Sequence, residues 1–220
     1  MNTSTNIPVR PKDWVSFQCN RCSACCRNIE DQLNLSPLEA YRIASFFSKQ
    51  GTNMSVQDVY NRYAHLHIVE EVLPLFVMNT VVPDNSCVFL QDGRCSIYDA
   101  RPTTCRIYPF FAVPGERGRK WQIFQCFDSH AKHFSEGKVL VKDWMFQNFK
   151  KEDQEFMMVE TEFYPKFGRM TRRLGQEWAI QNMFKILKLI FYDYDLAYPF
   201  LPQYAKNIEK VLYMEEGKAL

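Results

Sequence analysis

Apolar side chains recur along this chain in rhythms that change with the segment. Leu38, Tyr41, Ala44 and Phe47 fall at three-residue spacing, which lines one face of a helix. Ser36-Pro37-Leu38-Glu39 supplies an N-cap, a first-turn proline and the acidic half of a capping box, and Gly51 supplies a left-handed stop. A helix is expected between them. A second helix is expected after Ser55, through Val56 to about His67. Leu75 to Val82 is apolar and β-branched and runs into Pro83-Asp84-Asn85, which predicts a strand and then a turn. Cys87 to Leu90 and Cys95 to Tyr98 flank Asp92-Gly93, the signature of a hairpin. Its strict register sets Gln91 opposite Arg94 and Leu90 opposite Cys95, so Cys87 is not directly across from Cys95.

Farther along, Asp99 to Arg106 reads as a helical turn with Pro102 near its start and Cys105 at its end. Trp121 to Phe124 reads as a short strand that delivers Cys126. Gly175 to Tyr192 carries Trp178, Met183, Ile186, Leu187 and Ile190 at helical spacing. Within it Ile180 to Phe191 is the longest apolar stretch, interrupted by Lys185 and Lys188 and too short to cross a bilayer. It is read as a buried helix. Arg169, Arg172 and Arg173 are read as a solvated helix start, Pro199 and Pro202 as brackets of a bend, and Tyr204 to Met214 as a closing helix. The fold class expected is α+β. A cysteine-rich half with short strands and a hairpin, residues 14–126, would be covered by a helical, aromatic-rich half, residues 127–220, packed on it without a linker.

Composition adds few constraints. The 220 residues suffice for a core of ordinary size, with 46% hydrophobic and 15% aromatic residues. A formal charge of +2 argues neither for nucleic acid nor for an anionic membrane as partner. The first residues, MNTSTNIPVRPKDW, hold no apolar h-region, so a cytoplasmic protein is expected. In a reducing compartment a cysteine cluster points to metal binding or redox chemistry and away from structural disulfides. No phosphate-binding loop, dinucleotide glycine motif or hydrolase motif is present in the sequence.

The cysteines alter the picture most. Cys19, Cys22, Cys25 and Cys26 spell C-x-x-C-x-x-C-C, and Cys87, Cys95, Cys105 and Cys126 follow, with none in the remaining 94 residues. Two-residue gaps let soft thiolates turn inward on one centre, and all eight are candidate metal ligands. Consecutive side chains diverge, so Cys25 and Cys26 are expected to serve different centres or to leave one sulfur non-ligating. Eight sulfurs divide naturally into two sets of four. A C-x-x-C-x-x-C triplet with distant partners favours an iron-sulfur cluster, [4Fe-4S] first, over zinc, with thiol redox chemistry as a third option. Arg27 and Arg106 each follow a cysteine and are candidates to offset thiolate charge beside the cofactor, while Arg21 and Arg101 are equally well read as solvated. His130 and His133 have a zinc-like two-residue gap close to Cys126 and Asp128 and could add imidazole ligands, but with enough cysteines already available they are read as satisfied surface histidines, as are His65 and His67.

The ordered motifs C-x-x-C-x-x-C-C, Cys87-Val88-Phe89-Leu90, Gly93-Arg94-Cys95-Ser96-Ile97-Tyr98, Arg101-Pro102 and Cys105-Arg106-Ile107-Tyr108-Pro109 resemble the YkgJ family, the CxxCxxCC group described as zinc- or iron-chelating proteins. The resemblance covers roughly residues 14–126. It implies that Cys19, Cys22, Cys25, Cys26, Cys87, Cys95 and Cys105 are the family cysteines, with Cys126 at a less fixed position. A more distant likeness is to the flagellin lysine methylase, which is associated with an iron-sulfur cluster and S-adenosylmethionine; no residue here matches a methyl-donor site. The expected function is a metal-binding, iron-sulfur protein with a redox or enzymatic role and an unidentified redox or protein partner. The alternatives are a zinc-stabilised module and, through the distant likeness, a protein methylase.

Overall fold

The computed structural model describes residues 5–70, 72–115, 120–127 and 132–214. In chain order, β1 (Thr5–Val9) and β2 (Trp14–Val15) lead into the cysteine loop, whose Ala24–Cys26 form a single 3₁₀ turn. Helices α1 (Pro37–Lys49) and α2 (Val56–Tyr63) follow, each opened by the reciprocal capping box that Ser36/Glu39 and Ser55/Asp58 make. Short antiparallel strands come next: β3 (Ala64–Val69), β4 (Leu73–Met78), β5 (Thr80–Val81), β6 (Ser86–Cys87), β7 (Leu90–Gln91) and β8 (Arg94–Cys95). Helix α3 (Thr103–Ile107), strands β9 (Phe110–Pro114) and β10 (Trp121–Phe127), and β11 (Val139–Leu140) complete this part. Four helices then close the chain: α4 (Val141–Asn148), α5 (Lys151–Leu174), α6 (Gln176–Leu187), which runs into a π turn at Lys188–Tyr192, and α7 (Phe200–Tyr213).

The fold is α+β, with short antiparallel pairs in the cysteine-rich part and helices after it. Strand β10 is central in a three-stranded sheet, order β1-β10-β9. Pro8 sits on the edge strand β1, where a missing N–H is tolerated. The β7–β8 hairpin has the register read from sequence, Leu90 opposite Cys95 and Gln91 opposite Arg94. Asp92 and Gly93 both take positive φ, 48° and 72°, as a two-residue type I′ turn requires.

Two apolar clusters hold these elements. The larger unites α1 and α2 (Leu38, Ile43, Tyr60) with Phe89 and Ile97 beside the hairpin and with α5 and α7 (Phe163, Phe167, Tyr204). The smaller joins Val15, Phe17, Ile107 and Phe110 to Phe134, Val141 and Met145. Between them runs a polar bolt. Buried Asp153, in the first turn of α5, accepts hydrogen bonds from Arg42 of α1 and, at 2.7 Å, from Arg106 of α3. Glu39 is buried as well. One of its oxygens accepts the Ser36 N–H and the other the Thr103 N–H, at 2.9 and 2.8 Å, so a single carboxylate fixes the starts of both α1 and α3.

Several expectations are corrected. Helix α2 stops at Tyr63, and His65 and His67 lie on β3, because that segment pairs along its length with β4. The strand expected at Leu75 to Val82 begins at Leu73 and breaks at Asn79, whose N–H turns to the Tyr63 carbonyl. Ile180 to Phe191 is not buried throughout: Ile180 and Phe184 are 62% and 75% exposed, while Ile186, Ile190 and Phe191 face the core. Arg172 and Arg173 lie in the last turn of α5, where positive charge complements the helix dipole, not at a helix start. No helix among the described residues is long and apolar enough to cross a membrane.

Burial pushes the Asp153 carboxyl up, but hydrogen bonds from Arg106 and Arg42 and their charges outweigh it and hold the group below its usual range. Its stabilising contribution is therefore complete above about pH 3.8 and is lost as pH falls through the lower folded value. Asp153→Asn leaves Arg106 and Arg42 with a weakened partner and is expected to cost about 3 kcal/mol in denaturant unfolding at pH 7. The variant's stability should also change less than wild type's below pH 4.

Candidate metal centre

The cysteine loop has little regular structure, and its backbone sets the direction of its sulfurs. Arg21 and Ser23 take positive φ, 55° and 61°, a conformation that costs a non-glycine residue about 1 kcal/mol or more and so requires outside support. Ser23 Oγ provides some of that support by donating to the Gly93 carbonyl at 2.7 Å, which docks the loop on the hairpin tip. The 3₁₀ turn that follows brings Cys25 and Cys26 to the same side, with Sγ atoms 3.9 Å apart. The expected divergence of these neighbours is thus corrected: a tight turn overrides the alternation that extended chain would impose.

Cys19, Cys25 and Cys26 from the loop, Cys87 from β6, Cys95 from β8 and Cys105 from α3 all line one cavity of about 810 Å³. Six of the eight cysteines therefore meet, drawn from four separate segments of chain. Cys22 and Cys126 are not among the lining residues. None of the eight is in a disulfide. Cys87 is the most deeply set, with its Sγ 3.4 Å from Met78 Sδ. Among the described residues no three His, Cys, Asp or Glu donors are close enough to close on a single ion.

The cavity walls disfavour bare thiolates. Burial pushes the Cys105 thiol far up, and the nearby Cys25 and Cys87 add to it. Burial likewise raises Cys87 and Cys95, opposed at Cys95 by the Ile97 N–H and by Arg101. Cys25 is raised first by its contact with Cys26 and then by the protein packed around it. A bound cation reverses this balance, because it supplies the positive charge that thiolates need in a low-dielectric site.

The arginines at the cavity are not the ones adjacency to cysteine favoured. Arg27 pairs with Asp84 at the surface. Arg106 spends its guanidinium on Asp153, Thr103 Oγ1 and the carbonyls of Arg101 and Asn148. Arg21 and Arg101 line the cavity instead, with guanidinium carbons 4.5 and 3.5 Å from the centroid of the Tyr98 ring. The Arg101 charge also acts on the Cys25 and Cys95 thiols, opposing the rise in their pKa.

His133 is corrected too. It is 3% exposed, with Nδ1 3.5 Å from Cys22 Sγ and Nε2 3.0 Å from Tyr108 OH. Sequence gave no sign of this burial, since Phe17, Tyr108 and Phe134, which pack around the ring, are distant or unremarkable. His65 and His67 are surface residues; His65 is held by Asn79 and Asp31. Asp128 and His130 lie outside the described residues.

A family model described as "Putative zinc- or iron-chelating domain", CxxCxxCC, matches residues 18–135, more than half of the chain. The chain belongs to the CxxCxxCC family. No curated protein and no solved structure matches it. The matched span of this CxxCxxCC protein contains all eight cysteines and His133, and the donors assembled at the cavity suit the zinc or iron chelation for which the family is described: a soft, sulfur-rich set fits zinc or iron-sulfur chemistry and not calcium or magnesium.

In the metal-free protein, alkylation rates of Cys87, Cys95 and Cys105 should still be rising with pH at pH 9.0, the ordinary thiol value. Peptide mapping by mass spectrometry measures this directly. A plateau below pH 9 at these residues would contradict the electrostatics described.

Proposed function

We propose that this protein is an iron-sulfur protein, with the cluster held in the cavity by four of the six thiolates that line it and with a redox role towards a partner protein. The observation behind this reading is the spacing of the sulfurs. Two thiolates on one tetrahedral ion stand ~3.8 Å apart, from a metal–sulfur bond of ~2.3 Å. Cys25 and Cys26 stand at such a separation, and among the described residues no third His, Cys, Asp or Glu donor joins them. Six sulfurs that share a cavity without closing on one point suit a polynuclear centre, which places its own iron and sulfide atoms between its ligands. When bound, such a cluster accepts or donates single electrons.

The chain's own residues would tune it. Arg21 and Arg101 oppose the negative charge of a thiolate-ligated cluster and so raise its reduction potential. Burial of Cys87 beside Met78 and Phe89 keeps that side dry, which acts in the opposite direction. Cys19 and Cys25, both exposed, are the lining cysteines open to solvent or a partner. Free thiols and such a centre both suit a reducing, cytoplasmic setting. A second reading has one observation in its favour: the Cys25–Cys26 separation of 3.9 Å is that of one edge of a mononuclear zinc site.

Anaerobic purification separates the two. The iron-sulfur reading predicts a brown protein with iron and acid-labile sulfide in equal amounts, both reduced by at least half in Cys87→Ser and in Cys105→Ser. Because ligation is also folding energy, the same variants should melt at lower temperature than the loaded wild type. A colourless protein that contains zinc and no sulfide would overturn the reading.

A further inference from the structure

We propose that a second cavity, which shares the side chains of Asp99 and Arg101 with the cysteine cavity, binds a small organic phosphate. It measures about 920 Å³ and lies where one face of α1 meets the segment before α3, α3 itself and the start of α5. Cations reach it from each of these four places: Arg42 and Lys49 from α1, Arg101 from just before α3, Arg106 from α3 and Lys150 from the N-cap of α5. Among the described residues that line it, Asp99 alone is a carboxylate.

Two of these cations are fixed in advance. Asp153 accepts from both Arg42 and Arg106, and Glu152 accepts from Arg42, so the two carboxylates offset part of the charge and hold the guanidinium groups in place. Those bonds use two of the five N–H groups of Arg42, and its side chain keeps 22% of its surface exposed. The other three cations have no carboxylate of their own. Among the described residues Lys49, Arg101 and Lys150 are in no ion pair, and Arg101 lies over the Tyr98 ring while donating to the Tyr98 carbonyl at 2.8 Å. Like charges gathered in this way repel one another, and a bound anion relieves the repulsion. Donors that converge from four segments suit a tetrahedral phosphate, whose oxygens accept from several directions, better than a planar carboxylate, which is met along one edge. Ser45 and Ser48, on the same face of α1, add hydroxyl donors. A phosphate ion alone does not fill a cavity near the upper end of the range of about 300 to 1,000 Å³ that small-molecule sites occupy. Tyr41, Phe46 and Leu196 line the same space and offer apolar surface to the organic part of the ligand. None of this depends on what the cysteine cavity binds.

The test is calorimetric titration of the full chain with three probes: phenyl phosphate, inorganic phosphate and benzoate. Phenyl phosphate should bind saturably, one per chain, and more tightly than either of the others, with an affinity that falls as salt is raised. Lys49→Gln and Lys150→Gln should each weaken it by about 5-fold, the loss of one exposed charge pair. Both lysines are exposed, and circular dichroism checks that the variants are folded. Lys166→Gln is the control for charge alone, since this exposed lysine lies ~24 Å along α5 from Lys150 and does not line the cavity; it should bind phenyl phosphate as wild type does. The comparison of the three probes on wild type stands even if a variant does not fold. Absence of saturable binding at millimolar phenyl phosphate would overturn the proposal, as would benzoate or inorganic phosphate binding as tightly. An equal loss of affinity in Lys166→Gln would also overturn it, because it would mean attraction to the surface charge of the protein as a whole.

Discussion

Neutral thiols brought face to face gain almost nothing from one another, and thiolates brought face to face repel. That is the constraint around which the cysteine-rich part is arranged. Cys25, Cys87, Cys95 and Cys105 share a space in which burial and mutual proximity raise every one of their pKa values. Nothing in packing alone favours such a gathering over the same volume filled with Val or Leu. A centre that binds thiolates turns the repulsion into attraction, and the positive φ of Arg21 and Ser23 is tolerable if metal ligation helps to offset it.

The scaffold must hold the ligand-bearing segments without help from regular structure, since β6, β7 and β8 are two residues long and α3 has five. Charged groups do much of that work. Glu39 fixes the start of α3 against α1, and Asp153 brings Arg106 of α3 and Arg42 of α1 to the first turn of α5. Cys105 is thus positioned by a network that extends into the helical part of the chain. The larger apolar cluster does the same for Cys87, which packs in one core with Tyr60, Phe163 and Tyr204.

Local signals were legible in the sequence. The capping boxes at Ser36 and the Asp92-Gly93 turn depend on a few neighbouring residues, and the structure reproduces both, down to the hairpin register. What depends on distant partners was not legible. His65 and His67 read as a helix continuation because the strand they form is decided by β4. Arg27 and Arg106 follow cysteines in sequence, yet their guanidinium groups reach Asp84 and Asp153, while Arg21 and Arg101 turn to the cavity over Tyr98. His133 looked like a surface residue until Phe17, 116 residues before it, and Tyr108, 25 residues before it, closed around it. The C-x-x-C-x-x-C-C run announced metal chemistry but not which of its sulfurs line the cavity, because which sulfur turns which way is set by single backbone angles.

Mössbauer spectroscopy of protein produced on ⁵⁷Fe and kept anaerobic tests the central claim most directly, because it reads the coordination of every iron at once. The account predicts iron in tetrahedral sulfur coordination with the magnetic coupling of a polynuclear cluster. Iron bound only through oxygen and nitrogen, or protein that carries no iron at all, would contradict it.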